Sequence, residues 1–203
     1  LDGHDNDNDY LFLESYYGGR VEYFYQGKYT QNVYSYDFNS LYPFVMLKYK
    51  YPSEFVKSEI LPQYEDFMRD LYLYEGVGLF EIQAENTFYY LSQNGKKVEI
   101  GLLPYKTNNG KIIYPKGKWT GFYNLNEIRF SIENGYKVKP LYIEYWKGEY
   151  LSNIKEFVEY WYALKKTKQG LLSLISKTVL NSLYGKFMQL NQGFEIKLLE
   201  SKE

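Results

Sequence analysis

Apolar and polar residues alternate along two parts of the chain, which is the two-residue period of a β-strand. In the first part, residues 10–38, aromatic side chains occupy every second position near the end. The residues on that face are Tyr34, Tyr36 and Phe38. We expect strands and turns here, including a hairpin at 21–28. In the second part, residues 77–150, we expect mainly strands, with a loop at 114–121 and one short helix at about 124–134.

A strand-to-helix corner is predicted directly after the first part. Asn39 or Ser40 can cap a short helix that runs through Leu47. Pro43 falls in the first turn of that helix, where N–H groups have no intrahelical partner.

Helical spacing of apolar residues returns at Asn153, which forms a variant of the capping box with Glu156. The apolar residues are Ile154, Phe157, Val158, Trp161 and Leu164. This helix is predicted to end in lysines before Gly170, and a second helix is predicted at about 171–188. The pattern as a whole indicates an α+β fold.

Composition narrows the classes of function. The 203 residues include no cysteine, which excludes disulfides and thiolate metal sites. No apolar run approaches the ~20 residues of a membrane-spanning helix, so we expect no membrane partner. The net charge of −1 does not fit a general nucleic-acid coat, and phosphate binding must come from local clusters. Lys165, Lys166 and Lys168 form such a cluster.

The first nine residues are acidic and rich in asparagine. Residues 5–9 resemble the start of a calcium loop, but Tyr10 stands where that loop needs glycine and Tyr16 where it needs glutamate. We therefore expect a flexible acidic end. His4 is the only histidine, and we expect no catalytic or metal role for it.

The residues at the predicted corner are suited to binding a metal ion and phosphate groups. Residues 37–43 read Asp-Phe-Asn-Ser-Leu-Tyr-Pro. The carboxylate of Asp37 can bind magnesium, and the N–H groups of Ser40, Leu41 and Tyr42 at the helix start can receive a triphosphate. The bulk of Tyr42 could exclude a 2′-hydroxyl. Taken alone, Asp37 is more often an ordinary turn or capping residue.

The second predicted helix places Lys177, Asn181 and Tyr184 on one stripe, because they are four and three residues apart. A second stripe, expected to be buried, comprises Leu172, Ile175, Val179 and Leu183. An ammonium can meet a phosphate, an amide can bond a sugar or base edge, and a tyrosine ring can support a base pair. The alternative is an ordinary amphipathic helix with a solvated polar face.

Three strings together resemble a known family. Residues 37–43 resemble the first polymerase motif of family B DNA polymerases, and residues 177–185 resemble their Lys-x-x-x-Asn-Ser-x-Tyr-Gly motif. Residues 16–19 resemble the Tyr-x-Gly-Gly element that joins exonuclease and polymerase parts. The distance from this element to Asp37 is similar to that in the protein-primed branch of phages, linear plasmids and mitochondrial plasmids. The implied fold is a partial palm, a β-rich insertion and a two-helix fingers segment.

The resemblance implies a role for each matching residue. Asp37 and the Phe38 carbonyl would bind the two magnesium ions of the family. The residues implied to bind the incoming nucleotide are Ser40, Leu41, Tyr42, Lys165, Lys177, Asn181 and Tyr184. Those implied to bind DNA are Tyr16, Gly18, Gly19, Gly185 and Lys186. Ser173 stands where the family can carry a further basic residue, so that contact is in doubt.

The resemblance also implies domains and partners. Residues 1–95 would form the junction and partial palm, 96–150 the insertion that contacts terminal protein, 151–188 the fingers, and 189–203 the return to the palm. The implied partners are a DNA template-primer, deoxynucleoside triphosphates and a terminal protein primer.

One departure changes the expectation of activity. Members of the family carry a later Asp-Thr-Asp motif, but this chain has no aspartate after Asp70. Two-metal phosphoryl transfer needs a second carboxylate. We therefore expect a fragment that is inactive alone. The alternatives are a noncatalytic module that binds nucleotide, DNA or terminal protein, and a truncated relic of a polymerase gene.

Residue usage and one short string bear on the location of the protein. The chain has 26 tyrosines and three arginines, which is typical of an AT-rich coding genome. Residues 18–22 resemble the organellar plasmid branch. We expect a mitochondrial protein, although a phage or cytoplasmic plasmid protein would look similar.

Overall fold

The computed structural model describes residues 6–22, 27–28, 30, 32–85, 88–91 and 95–187. The helices are α1 (Asn6–Glu14), α2 (Leu41–Lys48), α3 (Tyr64–Leu71), α4 (Leu125–Glu133), α5 (Ser152–Thr167) and α6 (Leu171–Phe187). The strands are β1 (Lys50–Ile60), β2 (Glu75–Ala84), β3 (Phe88–Leu91), β4 (Lys97–Ile100), β5 (Tyr105–Lys106), β6 (Ile112–Ile113), β7 (Gly117–Asn124) and β8 (Lys137–Tyr150). This mixture of helices and antiparallel strands confirms the predicted α+β class.

The chain divides into two compact units. The sheet unit comprises Leu1–Tyr34 and Lys50–Glu149, and the helical unit comprises Ser35–Tyr49 and Tyr150–Glu203. The corner string at residues 37–43 therefore belongs to the same unit as α5 and α6. The predicted division of the chain into four segments stays a prediction.

A four-stranded sheet with the order β1-β8-β2-β7 forms the centre of the sheet unit. Strand β2 runs antiparallel to both β7 and β8, and Leu79 lies opposite Phe122 on one side and Tyr142 on the other. The register with β8 shifts between Leu79 and Phe80. Two small ribbons, β3-β4 and β5-β6, accompany the sheet.

Side chains from the sheet and from α3 and α4 form one hydrophobic core. In β2, Phe80 and Ile82 are buried whereas Glu81 between them is exposed, which is the alternation of a strand with one face on a core. The fully buried partners from the other elements are Phe67 and Leu71 of α3, Leu125 and Ile128 of α4, and Ile143 and Tyr145 of β8. Burial of these large side chains is the main stabilising term of the unit.

The buried carboxylate of Asp70 in the sheet unit is paired with two basic side chains. Asp70 is 2% exposed, and its two carboxylate oxygens accept from Lys57 Nζ at 2.6 Å and from Arg69 Nε at 2.8 Å. Burial raises the pKa of Asp70, but the hydrogen bonds and charges of Arg69 and Lys57 outweigh it and hold that pKa below its usual range. Arg129 donates to the carbonyls of Leu71 and Tyr74, at the end of α3.

A reciprocal cap at Asn124 explains why the helix predicted at 124–134 forms. The Asn124 Oδ1 accepts from the Glu127 N–H at 2.9 Å, and the Asn124 Nδ2 donates to Glu127 Oε2 at 2.7 Å. An Asn cap satisfies one of the N–H groups that have no intrahelical acceptor. This helix, α4, is therefore a confirmed prediction with a local cause.

The helical unit packs α2, α5 and α6 against one another. Each helix contributes a buried apolar side chain: Met46 from α2, Val158 from α5 and Leu180 from α6. No helix within the described ranges is long and apolar enough to cross a membrane.

The predictions for the first forty residues are wrong in two places. Residues 6–14 form α1 instead of a flexible end followed by a strand. Two aromatic residues of α1 explain this, because Tyr10 packs edge-on to Phe122 and Phe12 packs edge-on to Trp146. Tertiary packing of this kind overrides weak local propensity. The predicted hairpin includes residues 23–26, which lie outside the described residues.

The strand predicted at 33–38 is also absent, since residues 32–38 are neither helix nor strand and 33–38 are exposed. A strand needs a partner for its backbone groups, and no described strand pairs with this segment. The predicted loop at 114–121 overlaps β7, whose pairing with β2 draws in residues 117–124. The sequence pattern did not reveal β1 and α3.

The start of α5 differs from the capping prediction. The helix begins at Ser152, and Leu151 is its N-cap without a side-chain bond. Asn153 is thus inside the first turn and cannot cap it, and its side chain lies outside the described part.

Candidate functional site

The corner string folds into the predicted short helix, but Ser40 does not cap it in the usual way. Ser40 is the N-cap of α2 with φ 53 and ψ 46, a left-handed conformation that is uncommon for a non-glycine residue. Its side chain makes no capping bond, while its carbonyl accepts from the Phe44 N–H at 3.1 Å. The Ser40 hydroxyl is therefore left available for a partner other than the N–H groups of the helix start.

The hydroxyl of Ser40 instead meets a lysine from α5. Lys165 Nζ donates to Ser40 Oγ at 2.8 Å, across 125 positions of sequence. Both residues are half-buried. An ammonium group thus lies beside the first turn of α2, where the helix dipole already favours a negative charge.

The residues before Ser40 present a carboxylate to solvent. Asp37 and Phe38 are exposed, and Phe38 is 78% exposed. Leu41 and Tyr42 in the first turn of α2 are about half exposed, whereas Pro43 is buried. Every predicted residue of this string except the anchored Ser40 is thus largely accessible.

Helix α6 carries the second string, and the structure describes two of the three polar side chains of its predicted stripe. Lys177 and Asn181 are both exposed. Gly185 is exposed as well, and a Cβ added there would meet nothing within 4 Å. The side chains of Tyr184 and Lys186 lie outside the described part of the structure, so their positions stay a prediction.

The buried face of α6 differs from the predicted stripe. Leu172 and Ile175 are exposed, whereas Ser176 and Leu180 are buried. Ser176 tolerates burial because its hydroxyl donates to the Leu172 carbonyl at 2.7 Å. A buried face that includes a hydrogen-bonded serine cannot be predicted from the spacing of apolar residues along a helix.

A pocket of about 200 Å³ lies between α2 and α5. Its lining residues are Asn39, Ser40, Pro43, Phe44, Leu47, Val158, Glu159 and Tyr162. No motif in the sequence marks Tyr162 or Glu159 as part of a site. Tyr162 follows the buried Val158 by one helical turn, and that spacing is the signal by which it could have been found.

The glycine element at residues 16–19 is fixed to the sheet unit by its neighbours. Tyr17 stacks on Tyr123 with 5.6 Å between ring centroids, and its hydroxyl donates to the Phe122 carbonyl at 3.1 Å. Burial raises the pKa of Tyr17 to about 12, so the phenol stays protonated as a donor at neutral pH.

Arg20 fixes the other side of the same element. Its Nη1 donates to the Gly101 carbonyl at 2.9 Å, and its guanidinium lies 3.8 Å from the centroid of the Tyr114 ring. Gly18 has φ 75, and both Gly18 and Gly19 are exposed with open space around them. Tyr16 is also exposed. The anchoring roles of Tyr17 and Arg20 have no signal in the sequence, because their partners Phe122 and Gly101 are far away along the chain.

The described residues contain no cluster of three or more His, Cys, Asp or Glu side chains that could hold a metal ion. Asp37 therefore stands as a single carboxylate with the Phe38 carbonyl beside it in sequence. Such a pair fits part of a magnesium site, since Mg²⁺ is commonly held by one or two carboxylates together with substrate phosphates and waters.

Residues 6–203 match the model of a family described as DNA polymerase type B, organellar and viral. The chain belongs to this polymerase family. A probable DNA polymerase of Podospora anserina is 33% identical over 187 residues, which cover 89% of this chain and 14% of that protein. A probable DNA polymerase of Neurospora intermedia is 29% identical over 199 residues, which cover 93% of this chain and 19% of that protein. The chain thus spans less than a fifth of the length of these two curated polymerases.

Solved structures support the fold of this type B polymerase chain. Phi29 DNA polymerase complexed with primer-template DNA superposes with a TM-score of 0.50 at 22% identity, over 74% of this chain and 24% of that chain. The ternary complex of the same polymerase with primer-template DNA and incoming nucleotides gives the same TM-score and identity, over 74% of this chain and 26% of that chain. At this identity the likeness concerns the fold, and the roles of individual residues stay predictions.

Proposed function

We propose that this chain supplies the nucleotide-binding part of a template-directed, type B DNA polymerase. The observation that carries the proposal is the 2.8 Å bond from Lys165 Nζ to Ser40 Oγ. It joins the helix start of the first string to the end of α5, which packs on the α6 helix that bears the second string. Two strings that are far apart in sequence therefore belong to one structural unit.

The proposed triphosphate site combines a helix start with two lysines. N–H groups at the start of an α-helix have no intrahelical acceptor and point toward an anion. Lys165 adds a positive charge beside α2, and the exposed Lys177 offers a second from α6. Charge-assisted hydrogen bonds of this type are stronger than neutral ones. Ser40 and Leu41 would contribute backbone donors to the same phosphates.

The proposed metal ligands are Asp37 and the carbonyl of Phe38. The exposed carboxylate of Asp37 precedes the triphosphate site by three residues, which suits a cation shared with phosphate oxygens. When bound, magnesium would neutralise charge on the phosphates that the chain itself holds.

The remaining predicted residues would contact the sugar, the base pair and DNA. Tyr42 would lie against the sugar, and Asn181 and Tyr184 beside the nascent base pair. The residues proposed to approach DNA are Tyr16, Gly18, Gly19, Gly185 and Lys186. Exposure of the described members and the open space at the three glycines support this assignment.

The proposed partners follow from the relatives. Phi29 DNA polymerase has been solved with primer-template DNA and incoming nucleotide substrates, and we assign the same two classes of ligand to this chain. Protein priming, with residues 96–150 in contact with a terminal protein, follows from the resemblance to that branch. A mitochondrial location, with a phage or a cytoplasmic linear plasmid as the alternative, is likewise proposed from the composition and from the resemblance of residues 18–22.

The chain tested alone is expected to bind nucleotide without extending a primer. Residues 71–203 contain no aspartate, so Asp37 lacks the second aspartate that two-metal transfer requires. Robust primer extension by the purified 203-residue chain would contradict this expectation.

The site is tested by isothermal titration calorimetry, in which the chain is titrated with deoxythymidine triphosphate in the presence of magnesium. Lys165→Ala and Lys177→Ala are each expected to weaken binding about tenfold or more, because each removes a charge-assisted contact. Lys155→Ala is the control, since Lys155 is an exposed lysine of α5 ten positions before Lys165. Equal affinity in the control and in both site variants would overturn the proposed site.

A further inference from the structure

The end of α5 is held by a residue of α6. The last four carbonyls of an α-helix have no intrahelical donor, and in α5 these belong to residues 164–167. The Leu164 carbonyl accepts from the Lys168 N–H at 3.0 Å. The Lys165 carbonyl accepts from Ser173 Oγ at 3.2 Å.

Lys165 is consequently held at both ends. Its main-chain carbonyl is bonded to Ser173, and its ammonium group is bonded to Ser40. All three residues are half-buried. Three helices, α2, α5 and α6, are thus connected through one lysine.

The bond made by Ser173 differs from those of the other hydroxyl groups on α6. Ser176, Thr178 and Ser182 each donate to a carbonyl three or four positions earlier in the same helix. Ser173 instead reaches eight positions back, to the preceding helix. Its hydroxyl therefore fixes the connection between two helices.

We propose that Ser173 is a positioning residue for Lys165. By holding the last turn of α5, it fixes the backbone from which the lysine reaches Ser40 and the incoming triphosphate. Fixing the backbone in advance lowers the entropy that must be lost when a long side chain binds its ligand. The contribution of Ser173 to phosphate binding thus passes through Lys165. The proposal rests on the proposed triphosphate site.

The first test measures the accessibility of the Lys165 amine without any nucleotide. The chain is treated briefly with acetic anhydride, and acetylation of Lys165 is compared with that of the exposed Lys168 by peptide mass spectrometry. Ser173→Ala is expected to raise the Lys165 ratio about threefold to tenfold, since loss of one hydrogen bond releases the turn. Ser173→Thr keeps the hydroxyl and should restore the ratio. Thr178→Ala, which removes a hydroxyl bonded within α6, should leave it unchanged.

The second test is a double-mutant cycle on binding of deoxythymidine triphosphate. Ser173→Ala is expected to weaken binding about threefold to tenfold in the natural chain and to have no further effect in a Lys165→Ala background. A merely structural role would weaken binding equally in both backgrounds, and that result would overturn the proposal. Circular dichroism of each variant checks that the helices are retained, and Ser173→Cys, which replaces the hydroxyl by a weak donor of similar size, serves as the readout if Ser173→Ala loses them.

The outcomes separate this proposal from the proposed function. Unchanged acetylation of Lys165 in Ser173→Ala would overturn the positioning role. Increased acetylation together with unchanged nucleotide binding in Lys165→Ala would support the positioning of the lysine and overturn its triphosphate role.

Discussion

The sheet unit and the helical unit use their polar side chains differently. In the sheet unit, the carboxylate of Asp70 is buried and bonded to Lys57 and Arg69, and Arg129 donates to two main-chain carbonyls. In the helical unit, Asp37 and Lys177 are exposed. Charges of the first kind stabilise the fold, whereas those of the second kind contribute little to it and are available to a ligand.

Glycines show the same contrast. A Cβ added at Gly78 in β2 would lie 2.5 Å from the Tyr142 carbonyl oxygen, so the approach of two strands requires glycine there. A Cβ added at Gly185 in α6 would meet nothing within 4 Å. The fold does not require glycine at position 185, which supports the proposal that a ligand approaches this point.

The largest expected effect is on stability, and it is seen when a phenylalanine is replaced by alanine in each of the two units. Phe80→Ala should lower the free energy of unfolding of the sheet unit by about 3–5 kcal/mol, because it empties a fully buried site that contacts Phe67. Phe44→Ala in α2 should cost less than about 1 kcal/mol, since Phe44 is 55% exposed. Urea unfolding followed by circular dichroism measures both. A large loss for Phe44→Ala would break the contrast.

The second prediction compares two aspartates. Asp70→Asn should cost about 1–2 kcal/mol at neutral pH, because it weakens the bonds to Lys57 and Arg69, which themselves keep contact with water. Asp37→Asn should change stability by less than about 0.5 kcal/mol, as expected for an exposed side chain. It should nevertheless weaken magnesium-dependent nucleotide binding. Urea unfolding and calorimetric titration measure the two effects.

The effect at Asp70 should also depend on pH. Since the pKa of Asp70 is lower in the folded chain than the ordinary value of about 3.9, its ionised form stabilises the fold. That contribution is fully present above about pH 4 and is lost as the pH falls through the folded pKa. The stability difference between the natural chain and Asp70→Asn should therefore shrink on acidification. A difference that grows toward low pH would show that the ion pairs are not its cause.

Local signals in the sequence predicted those elements whose cause is local. Helix α4 follows from the Asn124 cap, and α6 begins after Gly170 as predicted. Helix α1 could not be predicted, because the contacts of Tyr10 and Phe12 with the sheet are formed by residues more than a hundred positions away. Such long-range contacts leave no periodic pattern of residues in the sequence from which they could be predicted.

The candidate site shows the same limit. Helical spacing predicted that Lys177 and Asn181 share an exposed face, and both are exposed. The bond from Lys165 to Ser40 joins residues 125 positions apart, and the left-handed backbone of Ser40 replaces the cap that its residue type predicted. Long-range contacts and unusual dihedral angles are properties of the folded chain, so motifs alone could name these residues but could not show how they meet.

The smallest expected effect has the most informative sign. Gly185→Ala should raise the stability of the helical unit by about 0.5–1 kcal/mol, because alanine is favoured over glycine inside a helix and nothing obstructs its methyl group. Gly170→Ala is the matched control and should lower stability by about 1 kcal/mol, since Gly170 has φ 67. Thermal unfolding measures both changes. If Gly185→Ala is the more stable chain yet binds primer-template DNA or nucleotide less tightly, glycine at 185 serves the ligand; if stability falls, glycine at 185 serves the fold.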